Sequence, residues 1–358
     1  MADLAVIDLH AGAYDDESIL HYPAAGTRSA VIETCLCLAR EIDTTLFNGV
    51  AYDRSAGRLR LRPNRRVAAA ELAATDWLVF VSSVQPELLE RIPIRTGRPR
   101  LALWAHHDID QPAVRSLTKP SVLRQISKFL FVSEWQRDRY CSQFSIDESA
   151  TVVIGNPYCE RALERIGKIE KQFDVPRLIY TSTPFRGLEI LADAFHIFSR
   201  RFLGATLTVL SGMELYGEAD NSRFQPLFDR LGNMPHVEFL KPVGKLRLYE
   251  CLRGANVFSY PSTFAETFCI GALEAGVLEN AILLTRTGAL PEIFPDAGFS
   301  SEADGKPSPE AWANFMIESW ERIVAAHHSR ALAASAEAYR RSYAPSAVAD
   351  RLRRALFG

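Results

Sequence analysis

Short, wholly apolar runs bounded by turn residues alternate with helix-length amphipathic stretches along nearly the whole chain. Runs of four to six residues are too short for core helices, and they lack the polar alternation of a half-solvated sheet. They read as strands covered on both faces, which parallel βαβ units require. A first series predicts strands near 4–9, 44–47, 77–81, 101–104, 129–132 and 151–154, with helices over 26–40 and 134–144, the latter capped by Ser133. A second series predicts strands at 178–181, 206–210, 237–240, 257–260 and 282–284, with helices over 188–202, around 224–231, over 245–253 and from about 270. At roughly 150 residues per domain, the 358 residues fit two domains. The expected division is 1–170 and 171–344, with the polar 155–174 stretch as linker. The tail is helical from Pro309, broken at Pro345, and its end (about 345–358) is expected to return to the first domain.

In open α/β sheets ligands sit at the carboxyl ends of strands, so the loops at 10–27, 105–111, 182–187, 211–217, 241–245, 261–270 and 285–291 are the places to look for chemistry. Charge names no partner: Lys plus Arg is 41 and Asp plus Glu 43, and neither half is basic, so a nucleic-acid module is not expected. The longest stretches without a charged residue, 202–213 and 254–265, fall short of the ~18 apolar residues of a membrane span. No basic region followed by an apolar core opens the sequence. Six cysteines without a Cys-x-x-Cys pair read as thiols in a reducing compartment, and the expected location is cytoplasmic.

The sequence has no G-x-G-x-x-G, G-x-x-x-x-G-K-[ST], G-x-S-x-G or H-E-x-x-H. More particular is the segment 260–275, which runs from a strand end through a loop into a helix and carries Glu266 and Glu274, seven residues between them. The two can grip different parts of one elongated ligand, and the amides of residues 267–270 at the helix start suit phosphate. The plain alternative makes Glu266 a helix-start charge and Glu274 a surface residue. Arg186 precedes a helix, where a cation opposes the dipole unless an anion is near.

This segment, together with Thr287-Gly288-Ala289-Leu290-Pro291-Glu292-Ile293, closely resembles the nucleotide-sugar site of family 4 retaining glycosyltransferases. Residues 131–140 and 178–195, with Arg186-Gly187-Leu188, resemble other parts of that family in the right order. The resemblance implies a GT-B fold: α/β, two Rossmann-like doubly wound domains facing each other across a cleft. It implies a retaining transfer of sugar from a UDP- or GDP-linked donor to a hydroxyl of a glycan, lipid-linked or other acceptor; with Arg186 and helix-end donors available to meet the leaving charge, no cofactor and no metal is expected. At matching positions, Glu274 would accept from the ribose hydroxyls and Glu266 would hold the transferred sugar. The amides of Thr267, Phe268, Cys269 and Ile270 would meet phosphate and sugar oxygens. Arg186 would bind the diphosphate two-point fashion.

The sequence departs from the family at several positions. Thr181-Ser182 stands where the family has Gly-Arg, so a hydroxyl, assigned to Ser182, must replace one cation. Ala25-Gly26 stands for Gly-Gly, with Gly26 left to approach the diphosphate, and Asn156-Pro157 replaces Asn-Gly. His106 is the candidate histidine facing the donor sugar, with His107 and Asp108 as alternatives; no spacing nearby completes a metal set. Arg54, Arg58, Arg60, Arg62, Arg65 and Arg66 lie in an acid-free run. Alternation with Leu59 and Leu61 makes it a solvated edge strand, or else a patch for an anionic acceptor or for peripheral contact with the inner face of a membrane. A silent glycosyltransferase paralogue acting as a scaffold and a nucleotide-sugar epimerase remain as rival readings.

Overall fold

The computed structural model describes residues 3–9, 12–92, 99–214, 222–300 and 306–358. The chain divides into two compact units: Met1–Ser18 with Thr27–Pro157 and Tyr343–Gly358, and Ile19–Gly26 with Tyr158–Ser342. The first holds an eight-stranded sheet of β1 (Asp3–Ile7), β2 (Asp43–Asn48), β3 (Arg54–Ala56), β4 (Leu59–Pro63), β5 (Trp77–Val81), β6 (Arg100–Trp104), β7 (Ile126–Phe131) and β8 (Thr151–Val153). Their order is β3-β4-β2-β1-β5-β6-β7-β8, parallel except for the β3–β4 pair. The apolar strands are covered on both faces: all five residues of β5, Trp-Leu-Val-Phe-Val, are buried. The 54–66 run, expected as one strand, is a hairpin whose second strand lies on β2. In it Leu59 and Leu61 are buried and Arg60 is exposed between them.

The second unit holds β9 (Arg177–Thr181), β10 (Thr206–Leu210), β11 (Val237–Leu240), β12 (Val257–Tyr260), β13 (Ala281–Leu284) and β14 (Gly298–Phe299), in the order β11-β10-β9-β12-β13-β14. All pairs are parallel. The chain winds outward from β9 through β10 to β11, then returns to place β12 on the other side of β9. Strand order therefore reverses between β9 and β12, and the crevice at their carboxyl ends is where this architecture receives ligands. Strand β14 is only two residues long, too short for periodicity to announce it, and the first strand ends at Ile7 rather than at residue 9.

The 155–174 stretch, read as a linker, is better anchored than its polarity suggests. It carries the helix Glu160–Arg165, and Lys171 donates to the carbonyls of Leu252, Arg253 and Ala255 and to Asn280 Oδ1. Those carbonyls end the helix Lys245–Gly254, where a cation satisfies both the open acceptors and the dipole. Burial pushes the Lys171 ammonium down to about 7. Among the described residues no helix is long and apolar enough to cross a membrane.

Candidate functional site

Two loops meet at the β9–β12 crevice. The one after β9 passes Ser182 and Arg186 to Gly187, which caps the helix Leu188–Arg201 in the left-handed region, φ 89°. A Cβ there would fall inside the carbonyl oxygen of Pro261, in the loop after β12. Glycine is required on both counts. Across this close approach Arg186 Nη1 lies 2.6 Å from Glu266 Oε1, with the two side chains 16% and 5% exposed. The Tyr260 hydroxyl donates to the same oxygen at 2.5 Å and lies 3.2 Å from Ser182 Oγ. Burial first, and then the Glu266 charge, raise the Tyr260 phenol well above its usual range, so it remains a donor. The Arg186 guanidinium also stacks over Phe264, 4.5 Å from the ring centre.

The anion that justifies Arg186 at a helix start is thus Glu266, supplied by the chain itself. Glu266 is held in turn by the loop after β13. Ala289 N–H donates to its carbonyl at 2.8 Å, and Gly288, at φ 58°, packs against its backbone where any Cβ would overlap it.

Glu274 is the fifth residue of the helix Ile270–Val277 and only 1% exposed, so the surface alternative does not hold. Its carboxylate sits 2.6 and 2.8 Å from Lys245 Nζ and receives the Tyr249 hydroxyl at 3.2 Å. Lys245 was not singled out from sequence, though the signal used for Arg186 applies to it: it is the first residue of the helix Lys245–Gly254. Lys245 and Glu274 line a pocket of about 100 Å³ together with Ala24, Gly26, Thr181 and Ile270.

The start of the 270–277 helix forms one wall of that pocket. Cys269 caps it at φ 72°, and its thiol is kept protonated by burial and by the neighbouring Glu266 charge. Phe268 is buried, Thr267 precedes it in the loop, and Ile270 begins the helix. Gly26 sits against Ile270; a Cβ on it would lie 3.1 Å from Ile270 Cδ1. A Cβ on Gly271 would lie 2.8 Å from Thr181 Oγ1, a buried hydroxyl with no hydrogen-bond partner among the described residues. Ser182, the hydroxyl expected to replace a cation, is occupied by Tyr260, and Thr181 is the one aimed at the helix start.

His106 belongs to the other unit, following β6. It is 9% exposed, stacks on Trp104 with ring centres 4.9 Å apart, and bonds the Asn156 side chain. Burial, reinforced by His107, pushes it down to about 3, so the imidazole is neutral. The alternatives are structural: the His107 carbonyl accepts from Gln136 and Tyr140, and Asp108 pairs with Arg139 at 2.8 Å. The arginine run is largely spent on neighbours. Arg54 pairs with Asp15, Arg62 with Glu71 and Asp53, and Arg60 with Asp3, while Arg58 and Arg65 donate to the carbonyls of Arg40 and Ala51. The Arg66 side chain lies outside the described residues. Among the described residues no cluster of three or more His, Cys, Asp or Glu is arranged to hold a metal ion.

Residues 177–318 match the family model described as Glycosyl transferases group 1. The D-inositol 3-phosphate glycosyltransferase of Mycolicibacterium smegmatis is 22% identical over 233 residues, 63% of this chain and 52% of that one. That of Corynebacterium jeikeium is 32% identical over 110 residues, 31% of this chain and 26% of that one. The matches therefore span about half and about a quarter of these relatives. Among solved structures, Anabaena HepE in complex with UDP-glucose superposes with TM-score 0.69 at 15% identity over 99% of both chains. Sucrose-phosphate synthase of Thermosynechococcus elongatus gives 0.70 at 14% identity over 99% of this chain and 98% of that one. The chain has the GT-B glycosyltransferase fold, and the group 1 glycosyl transferase match falls on the stretch that carries Arg186, Glu266 and Glu274.

Proposed function

We propose that the chain is a retaining glycosyltransferase that moves a sugar from a nucleoside-diphosphate donor, UDP- or GDP-linked, to an acceptor hydroxyl in glycan or glycoconjugate synthesis in the cytoplasm. One observation carries the reading. The two glutamates are both buried, Glu266 in the loop before the helix Ile270–Val277 and Glu274 within it, each locked to a cation, beside the reversal point of a doubly wound sheet and within the family match. The UDP-glucose bound by the Anabaena neighbour supports a nucleotide-sugar donor.

In this reading Glu274 takes the ribose hydroxyls and Glu266 those of the transferred sugar. The bond from the anomeric carbon to the leaving phosphate oxygen breaks, and one to the acceptor oxygen forms on the same face. The acceptor's proton passes to the leaving phosphate, so no protein base is needed. Negative charge growing on the diphosphate is met by Arg186, by the amides of residues 267–270 and by the Thr181 hydroxyl, fixed dipoles that need no reorganisation, while the Ser182 hydroxyl, expected in that role, is engaged by Tyr260. His106, neutral, would serve as a hydrogen-bond partner for the donor sugar. Incubation with UDP-glucose, UDP-N-acetylglucosamine and GDP-mannose, following slow release of nucleoside diphosphate, tests the reading. Release from at least one donor is expected, reduced in Glu266→Gln; failure to bind or hydrolyse any of them overturns it.

A further inference from the structure

Lys245 begins its helix where four unpaired amides already concentrate positive charge, and it is 6% exposed. A lone ammonium would not stay there. Its tolerance comes from Glu274, both of whose oxygens it reaches, at 2.6 and 2.8 Å. The bonding capacity of the pair can be counted. An ammonium has three donors and a carboxylate about four acceptor positions. Two donors and two acceptor positions are used between them, and Tyr249 takes one more acceptor position. One N–H and one carboxylate lone pair remain, on two groups that line the same pocket.

The pair is also neutral as a whole. Such a site suits an uncharged, hydroxylated part of a ligand better than a phosphate, because a dianion would meet the carboxylate as well as the ammonium. One donor and one acceptor side by side match a vicinal diol, in which one hydroxyl accepts while its neighbour donates.

We propose that Lys245 is a positioning and specificity residue of the nucleoside pocket. It holds the Glu274 carboxylate in place, and with it reads the ribose diol, so the site distinguishes ribonucleotides from 2′-deoxyribonucleotides. This rests on the donor-site reading above.

Calorimetry tests it with the best-bound of UDP, GDP and ADP and its 2′-deoxy counterpart, at pH 6, 7 and 8.5. Wild-type protein is expected to prefer the ribonucleotide by roughly ten- to a hundredfold, the loss of one charge-assisted hydrogen bond, evenly across that range. Lys245→Met should collapse the preference towards one and make ribonucleotide affinity fall as pH drops, because a buried carboxylate without its counter-charge takes up a proton. Lys245→Arg should restore most of the preference. Equal weakening of both nucleotides in Lys245→Met, with the ratio and the flat pH profile kept, overturns the proposal. Should that variant not fold, Tyr249→Phe decides: it leaves the ion pair intact, so the preference must survive, and its collapse is equally fatal. Wild-type protein that binds none of the three nucleotides removes the donor-site reading itself, an outcome distinct from an unchanged ratio.

Discussion

Replacing Arg186 by alanine removes the only side-chain cation placed on Glu266 by the described contacts and leaves a carboxylate 4% exposed with Tyr260 alone. Breaking a buried pair from one side costs roughly 3–5 kcal/mol, because the remaining charge stays desolvated. The stack on Phe264, at 4.5 Å, adds roughly 0.5–2 kcal/mol. Solvent screening gives little relief at 16% and 5% side-chain exposure. Arg186→Ala should therefore destabilise the second unit by roughly 3.5–7 kcal/mol. Glu266→Gln should cost about 1–2 kcal/mol, since Arg186 reaches some water and the amide oxygen still accepts from Tyr260. The double variant then isolates the interaction: it should be less damaged than the sum by about 2–3 kcal/mol. Urea unfolding of the full chain measures the totals, and amide exchange of peptides spanning β9 and β12 assigns the loss to this unit. Coupling within about 0.5 kcal/mol of zero would show that the two groups do not depend on each other, and the reading of Arg186 and Glu266 as one device would fall.

His106 gives the fold an acid sensitivity. Its folded value lies near 3 against an ordinary 6.5, so the unfolded chain takes up the proton first, and stability drops as pH falls below 6.5 and on towards 3. The loss is roughly 2–3 kcal/mol by pH 4.5 and at most about 5; denaturant midpoints of His106→Gln should lack this component between pH 7 and 4.5. Donor turnover should be unchanged by EDTA and unimproved by Mn²⁺, as the leaving charge is assigned to Arg186, amides and hydroxyls; a requirement for metal would contradict that assignment. Neutralising Arg58, Arg60 and Arg62 together should leave co-sedimentation with anionic liposomes as it is in the wild type, since these arginines already serve Arg40, Asp3, Glu71 and Asp53; wild-type binding lost in the variant would restore the membrane patch.

Much of the site was legible because its pieces are local. The strand Val257–Tyr260, the loop and the helix Ile270–Val277 follow one another within about twenty residues, and an apolar run ending in a polar loop marks the turn from sheet to helix. Spacing alone leaves Glu266 and Glu274 open to a plain structural reading; the resemblance of the surrounding segment singles them out. Their pairing with cations was not legible, since Arg186 lies 80 positions from Glu266 and Lys245 lies 29 from Glu274. No periodicity links such pairs; sheet topology brings Arg186 to Glu266 by setting β9 beside β12, and packing of the helix Lys245–Gly254 against the helix Ile270–Val277 brings Lys245 to Glu274. A one-dimensional signal did exist in both cases, a cation at the start of a helix, which demands an anion from somewhere. Applied to Arg186, it suggested a ligand phosphate where the chain supplies Glu266; applied to Lys245, it would have found a buried partner for Glu274. Tyr260 and Tyr249 carried no signal at all, because a tyrosine in an apolar run looks like core until the position of its hydroxyl is known.

The two ion pairs bear on how a diphosphate could be held. Each buried cation at the crevice already faces a carboxylate, so the field a phosphate would meet is much weaker than two free cations would give. Uncharged donors must then carry more of the load. Candidates converge at the start of the 270–277 helix, where its amides, the Thr181 hydroxyl, which has no partner among the described residues, and the backbone approach permitted by Gly26 and Gly271 surround one pocket. Such donors are fixed before any ligand arrives, so they strengthen as charge develops on the leaving phosphate without favouring the bound donor equally, which is the difference catalysis needs. In the proposed transfer Arg186 would meet the growing phosphate charge from its place beside Glu266, so one planar side chain would couple that carboxylate to the leaving group.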